Sequence, residues 1–121
     1  MRSTIEQSLQ NIRQTADAVE ATARYPASAP IFAGHFPGKP IVPAVYQIAL
    51  CRAVVEMYQQ TPFVRVVRSR FSAECVPGVT YDVKASLEEE ADGLVAQCSI
   101  KRGNVIHSKI VLFYGKAASP G

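Results

Sequence analysis

The chain has 121 residues and lacks several features that would assign it to a common functional class. Its three cysteines, Cys51, Cys75 and Cys98, are an odd number without CxxC spacing, which argues against a zinc site or a disulfide scaffold. A net charge of +3 is too small to predict nucleic-acid binding, although it is compatible with an acidic partner. The longest apolar run, around residues 41–51, is too short to cross a bilayer.

The composition is that of an ordinary folded protein. Hydrophobic residues make up 48% of the chain and charged residues 19%, and the length suffices for one core, so we expect a single domain over residues 1–121. The N-terminal segment is too polar for a secretory signal, and free thiols are typical of a reducing compartment. We therefore expect a cytoplasmic protein that has no membrane or nucleic-acid partner.

The periodicity of apolar residues predicts one helix and several strands. Residues 5–12 fit either a helix or a strand, whereas residues 19–25 alternate as a strand does. Residues 44–60 contain neither glycine nor proline, which predicts a mostly buried helix over about residues 43–60. After Pro62 the period changes to two, and four strands are predicted, with the sequences FVRVVRSRFSAECV, TYDVKASLEEE, LVAQCSIKR and VIHSKIVLFYG. These elements predict an α+β fold in which an antiparallel sheet of about five or six strands curls around the central helix.

Residues 26–43 form a proline-rich loop that contains His35. The loop holds five of the eight prolines and the motif GHFPG, so its backbone is expected to be stiff and irregular. A histidine held rigidly before an apolar helix is typical of one half of a proton-transfer pair. The helix start offers no second half, because residues 44–50 contain neither Asp nor Glu.

Two segments carry a resemblance to a known family. GHFPGKPIVP followed by a buried helix, and the later VVRSRFSAECVPG, resemble the hotdog-fold (3R)-hydroxyacyl-ACP dehydratases of the FabZ and FabA type. The likeness covers roughly residues 19–115. It implies a hotdog fold and an obligate dimer with two active sites at the interface, because in the family the histidine loop and the central helix of one site come from different subunits.

The resemblance also implies the roles of individual residues. His35 matches the histidine that removes the α-proton, and a family glutamate or aspartate on the helix protonates the departing hydroxyl. That acid is replaced by Ala49, and the usual glycine at the helix start is replaced by Ala44. By the same likeness, the residues expected to contact substrate are Phe36, Gly38, Pro43, Ala44, Val45, Tyr46 and Ala49.

Three side chains are candidates for the missing proton donor, and each has a difficulty. Glu56 lies about 10.5 Å beyond Ala49 along the helix at 1.5 Å per residue. Gln47 can donate a hydrogen bond but has no proton to transfer. Glu74 belongs to a predicted strand whose distance from the helix start the sequence does not give.

The remaining chemically interesting side chains have ordinary structural interpretations. His107 is expected to be a strand residue with a hydrogen-bond partner, and Cys51 a buried structural thiol. Arg65, Arg68 and Arg70 form a basic strip that is either a solvated sheet face or a docking site for an acidic carrier protein or a phosphopantetheine phosphate. We expect neither a metal nor a cofactor.

The sequence thus predicts a dehydratase-like protein that acts on 3-hydroxyacyl or enoyl thioesters of acyl carrier protein, in fatty acid, polyketide or polyene biosynthesis. A second hypothesis is a non-catalytic or half-site subunit that pairs with an active dehydratase paralogue. A third is an acyl-thioesterase on the same fold. The first two differ in whether the functional assembly is a homodimer or a heterodimer.

Overall fold

The structure is a computed structural model, and it describes residues 8–26 and 41–116. His35, Phe36 and Gly38 lie outside these ranges. The elements are strands β1 (Leu9–Gln14) and β2 (Ala18–Ala23), helix α1 (Ala44–Glu56), and strands β3 (Phe63–Phe71), β4 (Tyr81–Glu90), β5 (Gly93–Arg102) and β6 (Val105–Gly115).

The six strands form one sheet in the order β1-β2-β4-β5-β6-β3, and every neighbouring pair is antiparallel. Helix α1 packs against β2, β4, β5 and β6, so the sheet curls around it. This arrangement confirms the predicted α+β hotdog architecture. The N-terminal segment, whose sequence fits either a helix or a strand, contributes strand β1, which pairs with β2 at one edge of the sheet.

The core lies between α1 and the inner face of the sheet. Alternate residues of β5 and β6 are buried there, as the period of two predicts: Leu94, Ala96, Cys98, Ile100, Ser108, Ile110, Leu112 and Tyr114. The helix contributes the apolar residues Leu50, Cys51, Ala53, Val54 and Val55. The four central strands therefore have their register fixed, since a shift by one residue would turn these side chains to the outer face.

Helix α1 is shorter than the predicted span of 43–60. It begins after Pro43, whose φ of −61° suits the helix entry, and it ends at Glu56 with Met57 as its cap. Met57 and Tyr58 are exposed, so a further turn would bury no apolar surface. Tertiary packing therefore sets the end of the helix before its helix-forming sequence runs out.

Strand β3 also ends earlier than predicted, at Phe71 instead of continuing to Val76. The N–H groups of Ser72 and Ala73 both donate to the carbonyl oxygen of His107, at 2.8 and 3.1 Å. Because two consecutive donors converge on one acceptor, the regular β3–β6 ladder stops there. Residues 72–76 become an irregular segment, which we call the 72–76 segment.

Among the described residues, none of the helices has the length and hydrophobicity needed to cross a membrane.

Candidate functional site

An open groove of about 310 Å³ lies at the N-terminal end of α1. It is lined on one side by the chain that enters the helix and on the other by the end of β3 and the 72–76 segment: Ile41, Val42, Pro43, Ala44, Gln47, Phe71, Ser72, Ala73 and Glu74. Three of the predicted substrate-contact residues, Val45, Tyr46 and Ala49, follow on the first two turns of the helix. The groove is therefore mainly apolar, with a few polar groups near the helix start.

The helix start is electrostatically positive. Pro43 caps the helix without a side-chain hydrogen bond, and no acidic residue occupies the first turn. The N–H groups of Tyr46 and Gln47 share the carbonyl oxygen of Pro43, at 3.0 and 3.2 Å. Because the leading N–H groups of a helix carry its positive dipole end, this end of the groove favours negative charge.

Gln47 is buried and engaged in the interior. Its Nε2 donates to the carbonyl oxygen of Val42 at 3.0 Å, and its Oε1 accepts a short hydrogen bond from the hydroxyl of Ser108. Ser108 on β6 is fully buried. The amide therefore ties the chain before the helix to the centre of the sheet, and Gln47 has a positioning role that the sequence did not indicate.

Tyr25 fixes the helix backbone one residue before Gln47. Its hydroxyl donates to the carbonyl oxygen of Tyr46 at 3.1 Å. Burial, together with the nearby thiols of Cys51 and Cys75, raises the pKa of Tyr25 above its ordinary value, so the hydroxyl stays protonated and keeps donating.

The imidazole of His107 holds the 72–76 segment against β6. Its Nδ1 lies 2.8 Å from the carbonyl oxygen of Glu74, and since a carbonyl only accepts, Nδ1 carries the proton. The ring packs edge-on against Tyr81 with centroids 5.0 Å apart. His107 is thus a strand residue with a hydrogen-bond partner, as predicted.

The other end of the 72–76 segment is fixed as well. The N–H of Val42 donates to the carbonyl oxygen of Cys75 at 2.7 Å, and the N–H of Val76 donates to the hydroxyl of Tyr81 at 2.9 Å. Burial raises the pKa of the Cys75 thiol to about 11. These bonds join the segment directly to the chain that enters the helix.

The carboxylate of Glu56 lies at the opposite end of α1, where both of its oxygens accept hydrogen bonds. It receives hydrogen bonds from Arg52 Nε at 2.7 Å and from the Tyr114 hydroxyl at 2.9 Å. Glu56 is the only acidic residue in the helix sequence. It is therefore bound in a structural network at the end of α1 that lies away from the groove.

The three cysteines are free and buried, and none has the surroundings of a nucleophile. A hydrogen bond with Cys98 and complete burial raise the pKa of the Cys51 thiol well above its usual value. The prediction of a structural Cys51 is confirmed. Within residues 8–26 and 41–116, no three His, Cys, Asp or Glu side chains come together to form a metal site.

The predicted basic strip lies on the face of the sheet opposite α1. Arg68 pairs with Val111 and Arg70 with Lys109 in the β3–β6 register, so the strip also includes a lysine from another strand. Arg68, Arg70 and Lys109 line a shallow groove of about 510 Å³ on this outer face. Arg65 is positioned differently, with its guanidinium 5.0 Å from the ring centre of Phe113.

The geometry by itself assigns the protein to a structural class, a hotdog-type domain with an apolar groove at the positive end of its central helix. A profile of the ApeI-like family, described as ApeI dehydratase, matches residues 11–109. The chain belongs to this ApeI-like dehydratase family. No curated protein sequence matches it.

Solved structures agree on the fold. A chain of the dehydratase heterocomplex ApeI:P from Xenorhabdus doucetiae superposes with a TM-score of 0.75 at 19% identity, over 89% of this chain and 96% of that one. An uncharacterised protein from Erwinia carotovora subsp. atroseptica gives a TM-score of 0.61 at 21% identity, covering 88% and 90%. Thioesterase superfamily member 2 from zebrafish gives 0.71 at 8% identity, covering 93% and 84%. At these identities the likeness establishes the hotdog fold alone.

Proposed function

We propose that this member of the ApeI-like dehydratase family removes water from 3-hydroxyacyl thioesters carried by an acyl carrier protein, with His35 as the base. The observation that carries the proposal is the groove at the positive end of α1, whose first lining residue, Ile41, follows His35 by six positions in the sequence. The proposed pathway is fatty acid, polyketide or polyene biosynthesis, and the proposed location is the cytoplasm.

The reaction requires two proton transfers and a place for developing negative charge. His35 would take the proton from C2 of the acyl chain, while the C3–O bond breaks and the hydroxyl leaves as water with a proton from an acid. The charge that develops on the thioester carbonyl would be stabilised by N–H groups at the start of α1. A positioned acid or base contributes about 10² to 10⁴ in rate, so loss of one partner slows such a reaction without abolishing it.

The described part of the chain suggests where an acyl chain would lie. The interior between Tyr25, Leu50 and Ile100 holds a void of only about 10 Å³, enough for about one water molecule. This void is too small for an acyl chain, which we expect to follow the outer side of α1 from Ala44 past Val45 and Ala49. The predicted substrate contacts of Phe36, Gly38, Pro43 and Tyr46 remain part of this proposal.

The basic outer face supports docking of an acidic carrier protein. Arg68, Arg70 and Lys109 are exposed cations on neighbouring strands, and Arg65 extends the strip along β3. Guanidinium groups suit phosphate and carboxylate because they donate two parallel hydrogen bonds. We expect Arg68→Glu and Arg70→Glu to raise KM for a carrier-bound substrate and to leave KM for the same acyl group on N-acetylcysteamine unchanged.

A second chain is expected along β3. This strand is at the edge of the sheet, and Val64, Val67 and Phe71 on it are exposed apolar residues. Pairing of two such edges would cover them and would bring a second helix close to the groove. The partner is either a second copy or a paralogue.

A half-site subunit is the second candidate function, and Ala49 is the observation that favours it. A paralogous partner with a carboxylate at the corresponding position would complete the incomplete dyad across a heterodimer interface. The name of the ApeI:P heterocomplex supports pairing of this kind within the family. An acyl-thioesterase is a weaker alternative, because α1 carries no carboxylate at the groove to activate water.

The decisive experiment incubates the purified chain, alone and co-expressed with a paralogous dehydratase, with 3-hydroxyacyl-carrier protein. Mass spectrometry would follow the enoyl product, and a thiol reagent would follow thioester hydrolysis. Activity of the lone chain that His35→Ala removes supports the homodimeric dehydratase. Activity only in the co-purified complex supports the half-site subunit, and thiol release without enoyl product contradicts both.

A further inference from the structure

We propose that the free edge of strand β3 selects a partner chain whose own edge strand carries carboxylates, and that it disfavours pairing with a second copy of this chain. This inference rests on the second chain proposed along β3, and it deepens that proposal by giving the charge of the partner. The occupant is a second hotdog-type domain with Asp or Glu side chains opposite Arg68 and Arg70.

Charge is divided unevenly across the sheet. The three neighbouring strands on one side, β5, β6 and β3, carry six cationic residues and no acidic one: Lys101, Arg102, Lys109, Arg65, Arg68 and Arg70. The other three strands, β1, β2 and β4, carry five acidic residues and two cationic ones. The free edge formed by β3 therefore lies at the positive side of the sheet, and the acidic residues of the strands belong to the other side.

The cations on the two sides of the sheet also differ in their partners. On the acidic side, the guanidinium of Arg13 donates to the carboxylate of Glu20 at 2.7 Å. In the part of the chain that the structure describes, Arg68 and Arg70 form no ion pair, and both side chains are exposed. The β3–β6 register places Arg70 directly beside Lys109, so like charges already adjoin on this face.

The two edges of the sheet expose different kinds of side chain. Seven of the nine residues of β3 are exposed, and three of these are apolar: Val64, Val67 and Phe71. On the opposite edge, the exposed residues of β1 are all polar or charged. Cations alone on an edge strand prevent unwanted pairing, whereas apolar side chains between them are typical of a surface that a partner covers. Strand β3 therefore combines a surface for pairing with charges that restrict which strand can pair.

Two-fold pairing of β3 with its own copy would bring like charges together. An antiparallel pair of identical strands places the arginines of one outer face across from those of the other, with Cβ atoms about 4.5–8 Å apart for direct and diagonal neighbours. Like charges at these positions are destabilising, whereas opposite charges are stabilising. A partner strand with carboxylates would replace each repulsion by an ion pair, and guanidinium groups bind carboxylates through two parallel hydrogen bonds. The same arginines thus reject one partner and favour another.

The test supplies the complementary edge in this chain itself. The double variant Arg68→Glu with Arg70→Glu has an acidic edge, which we call the acidic-edge variant. The matched control, Lys101→Glu with Arg102→Glu, makes the same change of charge on β5, away from the edge. Each variant is mixed in equal amount with isotope-labelled wild type and left to exchange subunits, and native mass spectrometry then counts homodimers and heterodimers. Thermal unfolding verifies that each variant is folded.

We expect heterodimers to make up about nine-tenths of the dimers formed by wild type and the acidic-edge variant, against about one-half for random exchange. This excess corresponds to an exchange constant about 10²-fold above its statistical value. It should fall in about 1 M ammonium acetate, because salt screens exposed charges. The control variant should exchange at random, and Arg68→Glu alone should give a smaller excess of heterodimer than the acidic-edge variant.

The outcomes also distinguish this inference from the proposed function. Random exchange with the acidic-edge variant, an equal excess of heterodimer with the control, or no dimer in any mixture would overturn the charge selection at β3. Assembly is measured without substrate or carrier protein, so these results do not depend on dehydration or on carrier docking by the same arginines. Conversely, no enoyl product from the wild-type chain, alone or with a paralogue, contradicts the proposed dehydration and leaves the charge selection at β3 intact.

Discussion

The two ends of α1 each lie near one glutamate, and the two glutamates are held in different ways. At the C-terminal end the Glu56 carboxylate is enclosed by Arg52 and Tyr114, with both of its oxygens used. At the N-terminal end Glu74 is held through its backbone carbonyl, and the residue lines a groove. A carboxylate surrounded by donors, as Glu56 is, stabilises the fold.

The C-terminal end shows what a completed network looks like. The Tyr114 hydroxyl is buried, and both burial and the hydrogen bond to Glu56 raise its pKa above the ordinary value, which keeps it a donor. Arg52 bonds to Glu56 and also lies 4.0 Å from the centre of the Phe63 ring. Arg52, Glu56 and Tyr114 are joined by hydrogen bonds, so this network is expected to affect stability and not catalysis.

The largest expected effect comes from placing a carboxyl at the N-terminal end. Ala49 is partly buried on the helix, at the position where the resemblance to the FabZ and FabA dehydratases implies an acid. On the proposed function, Ala49→Glu adds a proton donor at the helix start, and we expect it to raise kcat for dehydration by about 10²-fold. Ala49→Gln is the matched control, since it has the same length without a transferable proton. An equal rate for both variants would contradict the idea that an acid is missing.

The next effect tests the C-terminal end. Glu56→Ala removes the acceptor of the buried Tyr114 hydroxyl and the partner of Arg52, so we expect the free energy of unfolding to fall by about 2 kcal/mol. Urea denaturation measures this change. Activity per folded molecule should remain at the wild-type level, and a loss of kcat of about 10²-fold would remove the distinction between the two ends.

A smaller loss of stability is expected where the N-terminal end is tied to the sheet. Ser108→Ala leaves the buried Oε1 of Gln47 without its donor, which we expect to cost about 1 kcal/mol. Replacing both residues, as Gln47→Leu with Ser108→Ala, should cost less than the sum of the single changes. A double-mutant cycle by urea denaturation checks this coupling, and strict additivity would show that the hydrogen bond has no energetic weight.

The smallest expected effect is a gradual loss of stability at alkaline pH. Burial raises the pKa of Cys75 from 9.0 to about 11, and it also raises the pKa of Tyr81. The folded state then holds these protons more strongly than the unfolded chain, so the stabilisation is complete below about pH 9 and is lost as the pH rises towards 11. Urea midpoints across this range test the sign, and Cys75→Ala should flatten the slope. A urea midpoint that rises with pH would contradict the predicted loss of stability.

The sequence predicted most elements of this fold because their patterns are local. The alternation in β2, β4, β5 and β6 and the uninterrupted apolar stretch of α1 correspond to elements that the structure contains. The predicted ends of α1 and β3 were wrong. Packing ends α1 at Glu56, and the hydrogen bonds to the carbonyl oxygen of His107 end β3 at Phe71. The placement of the histidine loop stays a prediction.

Sites built from distant segments were not predictable in the same way. Lys109 joins Arg70 only through the β3–β6 register, and Gln47 meets Ser108 across 61 positions of sequence. Nothing in the residues around Glu74 indicates that Val42 binds its neighbour Cys75. The two-residue alternation of apolar side chains shows which side of a strand is buried, but it does not show which strand lies beside it.

The sequence by itself predicted the class of this protein, from one buried helix within an antiparallel sheet and a GHFPG motif before that helix. Only the tertiary structure decided which carboxylate borders the groove. The reason is that Ser72 and Ala73 donate to the carbonyl oxygen of His107, which ends β3 early. His107 Nδ1 and the N–H of Val42 then hold the 72–76 segment beside the helix start, and both come from parts of the chain distant in sequence.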